Sequence, residues 1–185
     1  MHRLPGYAIA AALAAMLLAG CSGPDAQAKR KPSYRGAVRA DVSRIVFDDG
    51  DTFRYKGEPI RVLGIDTPEV KDLRVGIPED QPFGPEASDS TRAWIERAKV
   101  VELAYDGRDI YERRLAHVFL DGELLAERLL AHGLAYENVR HFGDNGFPDL
   151  ADRIIRAADA GPKPAFEPPH QWRKKHQRKN PPKTN

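Results

Sequence analysis

The chain has 185 residues, 41% of them apolar and 30% charged, with a formal net charge of +2 and a single cysteine, which suits one globular domain with appendages and excludes an internal disulfide. The small total hides a split: residues 41–169 hold 17 Lys+Arg against 26 Asp+Glu, while the flanks on both sides are basic. So acidic a body cannot hold a polyanion by bulk electrostatics, and any anionic substrate must be met by local charge, a metal ion or a few placed arginines.

In chain order, Tyr7 to Gly20 is an almost unbroken apolar run behind Arg3. It falls short of the roughly 20 apolar residues a membrane-spanning helix needs and has the build of a signal-peptide core. Residues 1–20 therefore read as a signal peptide. Leu18-Ala19-Gly20-Cys21 resembles the lipobox of bacterial lipoproteins, which implies lipidation at Cys21 and an exported, lipid-anchored chain. Ala26-Gln27-Ala28 offers a competing cut that would release a secreted form. Ser22 after the cysteine points to the outer membrane in a cell that has one. Residues 21–35 read as a flexible tether.

The body, residues 36–162, begins with strand-like residues from Ala37 to Phe47 and an Asp48-Asp49-Gly50-Asp51 turn. A returning strand, Thr52 to Tyr55, leads through Lys56-Gly57 into a third strand, Ile60 to Ile65. Pro85 opens a helix to about Ala98, Val100 to Tyr105 and Ile110 to Leu120 are two more strands, and Glu123 to His132 has helical leucine spacing. A third helix, Leu150 to Ala160, ends at Gly161-Pro162. Five strands and three helices in this order predict an α+β fold built on a small closed five-stranded barrel. Residues 163–185 are basic and proline-rich and predict disorder.

From the third strand onward the chain resembles the staphylococcal nuclease (thermonuclease) family. The resemblance rests on Asp49-Gly50-Asp51-Thr52, on Arg61-Val62-Leu63-Gly64-Ile65-Asp66-Thr67-Pro68-Glu69, on Phe83-Gly84-Pro85-Glu86-Ala87-Ser88, on Tyr111-Glu112-Arg113 and on Gly133-Leu134-Ala135. It covers roughly residues 36–160, and it implies an OB-fold barrel and a calcium-dependent nuclease acting on DNA or RNA. By the same resemblance Asp51, Asp66 and the Thr67 carbonyl hold Ca2+, and Glu69 is the general base. Arg61 and Arg113 bind and stabilise the phosphate, Tyr111 helps hold the nucleotide, and cleavage of the 5′ P–O bond leaves 3′-phosphates. A monomer is expected. The rival reading is an OB-type module of the cell envelope that binds nucleic acid or a partner without cutting.

Taken singly, each residue has a plainer reading: a hairpin turn at Asp49-Gly50, an Asx-type turn at Asp66-Thr67-Pro68, solvated strand arginines at Arg61 and Arg113. The set gains weight because phosphodiester hydrolysis needs these residue types together. A hard cation and planar guanidinium forks match phosphate oxygens, and a carboxylate can take a proton from water. Two features call for explanation. A straight strand would put Arg61 and Asp66 about 16 Å apart, so they can share one phosphate only if the strand bends hard or the substrate bridges the gap; a bulge near Gly64 is what the resemblance implies. Glu112 stands where the family has glycine and is strained if that position needs a positive φ. The six histidines show no zinc spacing. Trp172 and its basic neighbours read either as a stacking platform for single-stranded nucleic acid, as a contact with an anionic membrane, or as a solvated end.

Overall fold

Short strands, the longest of them with four or five buried residues in a row, are separated by tight turns and build one curled sheet, and the computed structural model describes it within residues 33–178. The signal segment, Cys21 and most of the tether lie outside the described residues. The strands are β1 (Val38–Ala40), β2 (Ile45–Phe47), β3 (Thr52–Tyr55), β4 (Glu58–Val62), β5 (Ile65–Asp66), β6 (Val101–Arg108), β7 (Arg114–Leu120), β8 (Glu123–Leu124) and β9 (Tyr136–Glu137). The helices are α1 (Gly84–Arg97), α2 (Leu125–Ala131), α3 (Val139–Phe142), α4 (Pro148–Ala160) and α5 (Pro169–His176). The main sheet runs β1-β6-β7-β4-β3-β2, with β8 paired to β7 and a separate β5–β9 pair. All pairings are antiparallel except β4 with β7, where Arg61 sits beside Leu115.

This is the expected OB-type α+β architecture, with its five strands subdivided. The first is interrupted by a 3-10 turn over Val42–Arg44, whose N-cap is Asp41. The third breaks at Leu63-Gly64 into β4 and β5. The fifth begins only at Arg114, because residues 109–113 form a closed loop: Asp109 N donates to Arg113 O at 3.0 Å and Glu112 N to Asp109 O at 3.0 Å. Glu123 and Leu124, expected in the second helix, pair with β7 instead.

The core lies between the sheet and α1, α2 and α4. Phe53, Ile60, Leu103, Val118, Leu125, Leu129 and Ile154 are completely buried there. Burial of each such side chain stabilises the fold by about 1.5–3 kcal/mol relative to exposure.

Over residues 163–178 the expected disorder gives way to a docked segment, and the last part of that tail, residues 179–185, lies outside the described residues. Phe166 is buried between Phe83 and Tyr136, with ring centroids 5.7 and 5.4 Å away. Pro169 stands in the first turn of α5, where a missing N–H costs nothing. Trp172 is only 5% exposed and stacks on His176, so it presents no free face for a base. Two apolar anchors that find partners outweigh the polar composition around them.

Candidate active site

The β2–β3 hairpin sets the first carboxylates. Asp49 Oδ1 accepts from the backbone N–H groups of Asp51 at 2.9 Å and Thr52 at 2.6 Å, an Asx-type closure that fixes the turn. Asp51, 1% exposed, is thereby turned inward. Its Oδ2 accepts from Thr67 N at 2.7 Å, and its Oδ1 accepts from Thr52 Oγ1 at 3.1 Å and from Arg61 Nη1. Thr52 and Arg61 are cross-strand partners in the β3–β4 register, which is why Arg61 rises next to Asp51.

The bend after β4 completes the group. Gly64 has φ +84°, and a Cβ there would lie 2.5 Å from Ile154 Cδ1; only glycine combines that conformation with that close approach. The chain folds back, and Arg61 Nη2 donates to Ile65 O at 3.1 Å and to Asp66 Oδ1 at 2.7 Å. The extended-strand separation is thus removed by one glycine. Glu69 is fixed by its own backbone: its N–H donates to Gln81 Oε1 at 3.2 Å, and Gln81 N donates back to Glu69 O at 2.9 Å. Gly84, opening α1, packs so closely on that carbonyl that a Cβ would stand 2.1 Å from it.

Arg113 lies at the margin. Its Nε donates to Asp109 Oδ2 at 2.7 Å, its Nη1 is 3.5 Å from Thr52 Oγ1, and its guanidinium lies over the Tyr111 ring at 5.5 Å. Tyr111 itself is 72% exposed and free to meet a ligand. Glu112 adopts φ +61°, so the position does require the left-handed region. The structure therefore brings Asp51, Arg61, Asp66, Thr67 and Glu69 together and leaves Arg113 and Tyr111 on a flanking loop.

The residue that sequence reasoning missed is Arg173, on α5. Its Nη2 donates to Asp66 Oδ2 at 3.1 Å, its Nη1 approaches Asp66 Oδ1 at 3.4 Å, and the same Nη1 donates to Glu69 Oε1. No motif marks it. The only signal was an arginine beside a large apolar residue in an otherwise polar tail.

Four carboxylates, Asp49, Asp51, Asp66 and Glu69, thus face Arg61 and Arg173, with Arg113 at the edge. Burial pushes the Asp49 carboxyl up to about 6 even though Arg61 opposes it. Burial also raises Glu69 against the pull of Arg173. At Asp66 burial works in the same direction, but Arg61 and Arg173 outweigh it and hold the carboxyl below its usual range.

The donor set suits a hard divalent cation. Asp51 and Asp66 offer carboxylate oxygens, and imidazole and thiolate are absent from the group. Among the described residues no three His, Cys, Asp or Glu side chains converge into a closed metal cage, so water and substrate would fill most of the coordination shell. Oxygen ligands, guanidinium forks and a raised carboxyl in one place can bind a phosphodiester, neutralise charge and deprotonate water.

Residues 59–151 match the family described as "Staphylococcal nuclease homologue". The chain is 40% identical over 100 residues to "Thermonuclease" from Staphylococcus hyicus, covering 51% of this chain and 56% of that protein. It is 38% identical over 94 residues to "Endonuclease YncB" and 39% identical over 94 residues to "SPbeta prophage-derived endonuclease YokF", both from Bacillus subtilis (strain 168). Those two matches each cover 47% of this chain, and 43% and 30% of the respective relatives. The chain spans about half the length, or less, of these relatives.

Proposed function

The chain belongs to the staphylococcal nuclease family, and on that premise we propose that it is a calcium-dependent nuclease that hydrolyses phosphodiester bonds of DNA or RNA. The observation that carries this reading is Arg61 bridging Asp51 and Asp66 with Glu69 two residues beyond Thr67: a guanidinium, two carboxylates for a cation and a base in one cluster.

In this reading Asp51, Asp66 and the Thr67 carbonyl hold Ca2+, which when bound neutralises charge on the phosphoryl oxygens. Arg61 turns its fork from the carboxylates to the phosphate and binds two of its oxygens. Glu69 takes a proton from the attacking water, helped by the burial that raises its carboxyl. The water oxygen bonds to phosphorus as the bond to the 5′ oxygen breaks, and that departing oxygen takes a proton from solvent, leaving a 3′-phosphate and a 5′-hydroxyl. Arg113 leaves Asp109 to meet charge developing on the same phosphate, and the exposed Tyr111 lies against the adjoining nucleotide. Export with a lipid anchor at Cys21 belongs to the same proposal; metabolic labelling with palmitate, lost in Cys21→Ser, tests it.

The test of activity is incubation of the purified full chain with single-stranded and duplex DNA and with RNA, with calcium or with chelator. Cutting only with calcium supports the proposal. Binding without cutting would assign the chain to the non-catalytic modules instead.

A further inference from the structure

Arg173 reaches the centre from 107 residues beyond Asp66, and the segment carrying it is pinned along its length. Tyr136 Oη donates to Phe166 O at 2.6 Å and Gln81 Nε2 to Glu167 O at 2.5 Å. Arg178 N donates to Gly76 O at 2.8 Å and Gln177 Nε2 to Val75 O at 2.8 Å. With Phe166 buried at its start and Trp172 buried at its middle, the strap of residues 166–178 crosses the loop leading out of Glu69 and delivers one guanidinium to Asp66 and Glu69. While the strap is docked, Asp66 Oδ1 faces Arg61 and Arg173, and Oδ2 faces Arg173. A divalent cation needs the same lone pairs at short range and is repelled by a guanidinium held beside them.

We propose that Arg173 is a built-in counter-cation of the metal carboxylates, so that docking of the strap and binding of a divalent cation at Asp66 oppose one another. Without metal, Arg173 neutralises Asp66 and also locks Glu69 in an ion pair; with metal, it yields Asp66, and the strap loosens over the base. Linkage makes the effect reciprocal: whatever factor the strap removes from metal affinity, metal removes from strap docking. The inference rests on the proposed calcium site, and it goes further in naming what controls access to that site.

Calorimetric titration of calcium into the full chain, Arg173→Gln and Lys175→Gln tests it. Lys175 lies on the same helix but pairs with Glu167, away from the centre, so it controls for overall charge. Arg173→Gln should bind calcium about 10-fold more tightly, a typical coupling between sites, and Lys175→Gln should stay within about twofold, as for an exposed pair. Equal or weaker binding by Arg173→Gln, or an equal gain in Lys175→Gln, overturns the inference and leaves the calcium site standing. Calcium bound by none of the three overturns both. A second readout needs no substitution: calcium should speed hydrogen exchange of the amides of residues 169–178 in the wild-type chain. Unchanged or slower exchange there contradicts the latch.

Discussion

Replacing Gly64 with alanine attacks the bend that joins Arg61 to Asp66. Two costs arise, and the structure separates them. An alanine held at φ +84° loses about 1–2 kcal/mol to steric conflict in the left-handed region. Its methyl would also stand 2.5 Å from Ile154 Cδ1 and 3.3 Å from Val139 Cγ2, and overpacking of that kind costs about 1–3 kcal/mol. The expected loss is therefore about 2–5 kcal/mol, a large share of the 5–15 kcal/mol that usually holds a domain together. Urea unfolding followed by circular dichroism measures it. Ile154→Val removes the clashing Cδ1; alone it should cost about 1 kcal/mol. In the Gly64→Ala background it should cost nothing or restore stability, giving a coupling of about 1 kcal/mol or more. A loss below about 1 kcal/mol for Gly64→Ala, or strict additivity of the pair, would refute this account of the bend.

Glu112→Gly should relieve the strain at φ +61° and raise stability by roughly 0.5–1 kcal/mol, seen as a Tm about 2 °C higher in a thermal melt. Burial pushes His117 down to about 4, against the opposing pull of Asp149 and Asp106 and with Arg153 reinforcing it. An unfolded histidine titrates near 6.5, so the stability from keeping His117 neutral is complete above that pH. It is lost as pH falls toward 4, by about 2 kcal/mol at pH 5. His117→Phe should flatten that part of the urea-midpoint profile between pH 7 and 5; an unaltered slope would show that the ring is not the group responsible. Gly84→Ala should push on the Glu69 carbonyl, 2.1 Å from the added Cβ, and lower kcat at least tenfold with little change in calcium affinity; equal losses in both would mean that the whole site, and not the base alone, had shifted.

The clustering of Asp51, Arg61, Asp66, Thr67 and Glu69 was legible through the family resemblance, and the structure builds it locally from one hairpin, one cross-strand pair and one bend. The bend itself was only half legible. Strand geometry left a hard bend or a bridging substrate open, only the family resemblance pointed to Gly64, and the reason glycine is required is Ile154 on α4, 90 residues away. Glu112 was legible as a suspect and not as a fact, since only backbone geometry reveals its φ. Arg173 was legible only as an arginine beside the apolar Trp172, with nothing to tie it to the site. Its place depends on Phe166 and Trp172 finding partners on the body, and proline and charge around them concealed that tertiary burial. The strand breaks at Val42–Arg44 and at residues 109–113 were hidden for a related reason: apolar residues such as Val42, Ile110 and Tyr111 continue through them, while the Asp41 and Asp109 carboxylates accept backbone N–H bonds from Ser43 and Arg113 that close the turns.

The proposed function turns on Glu69 as the base in a calcium-supported attack by water. Single-turnover cleavage of a short DNA by Glu69→Gln, with calcium affinity measured on the same preparation, tests it most directly. The rate should fall by about 10²–10⁴-fold, the usual contribution of a positioned base, with calcium still bound and with wild-type products ending in 3′-phosphate. Cleavage by Glu69→Gln at the wild-type rate would contradict it.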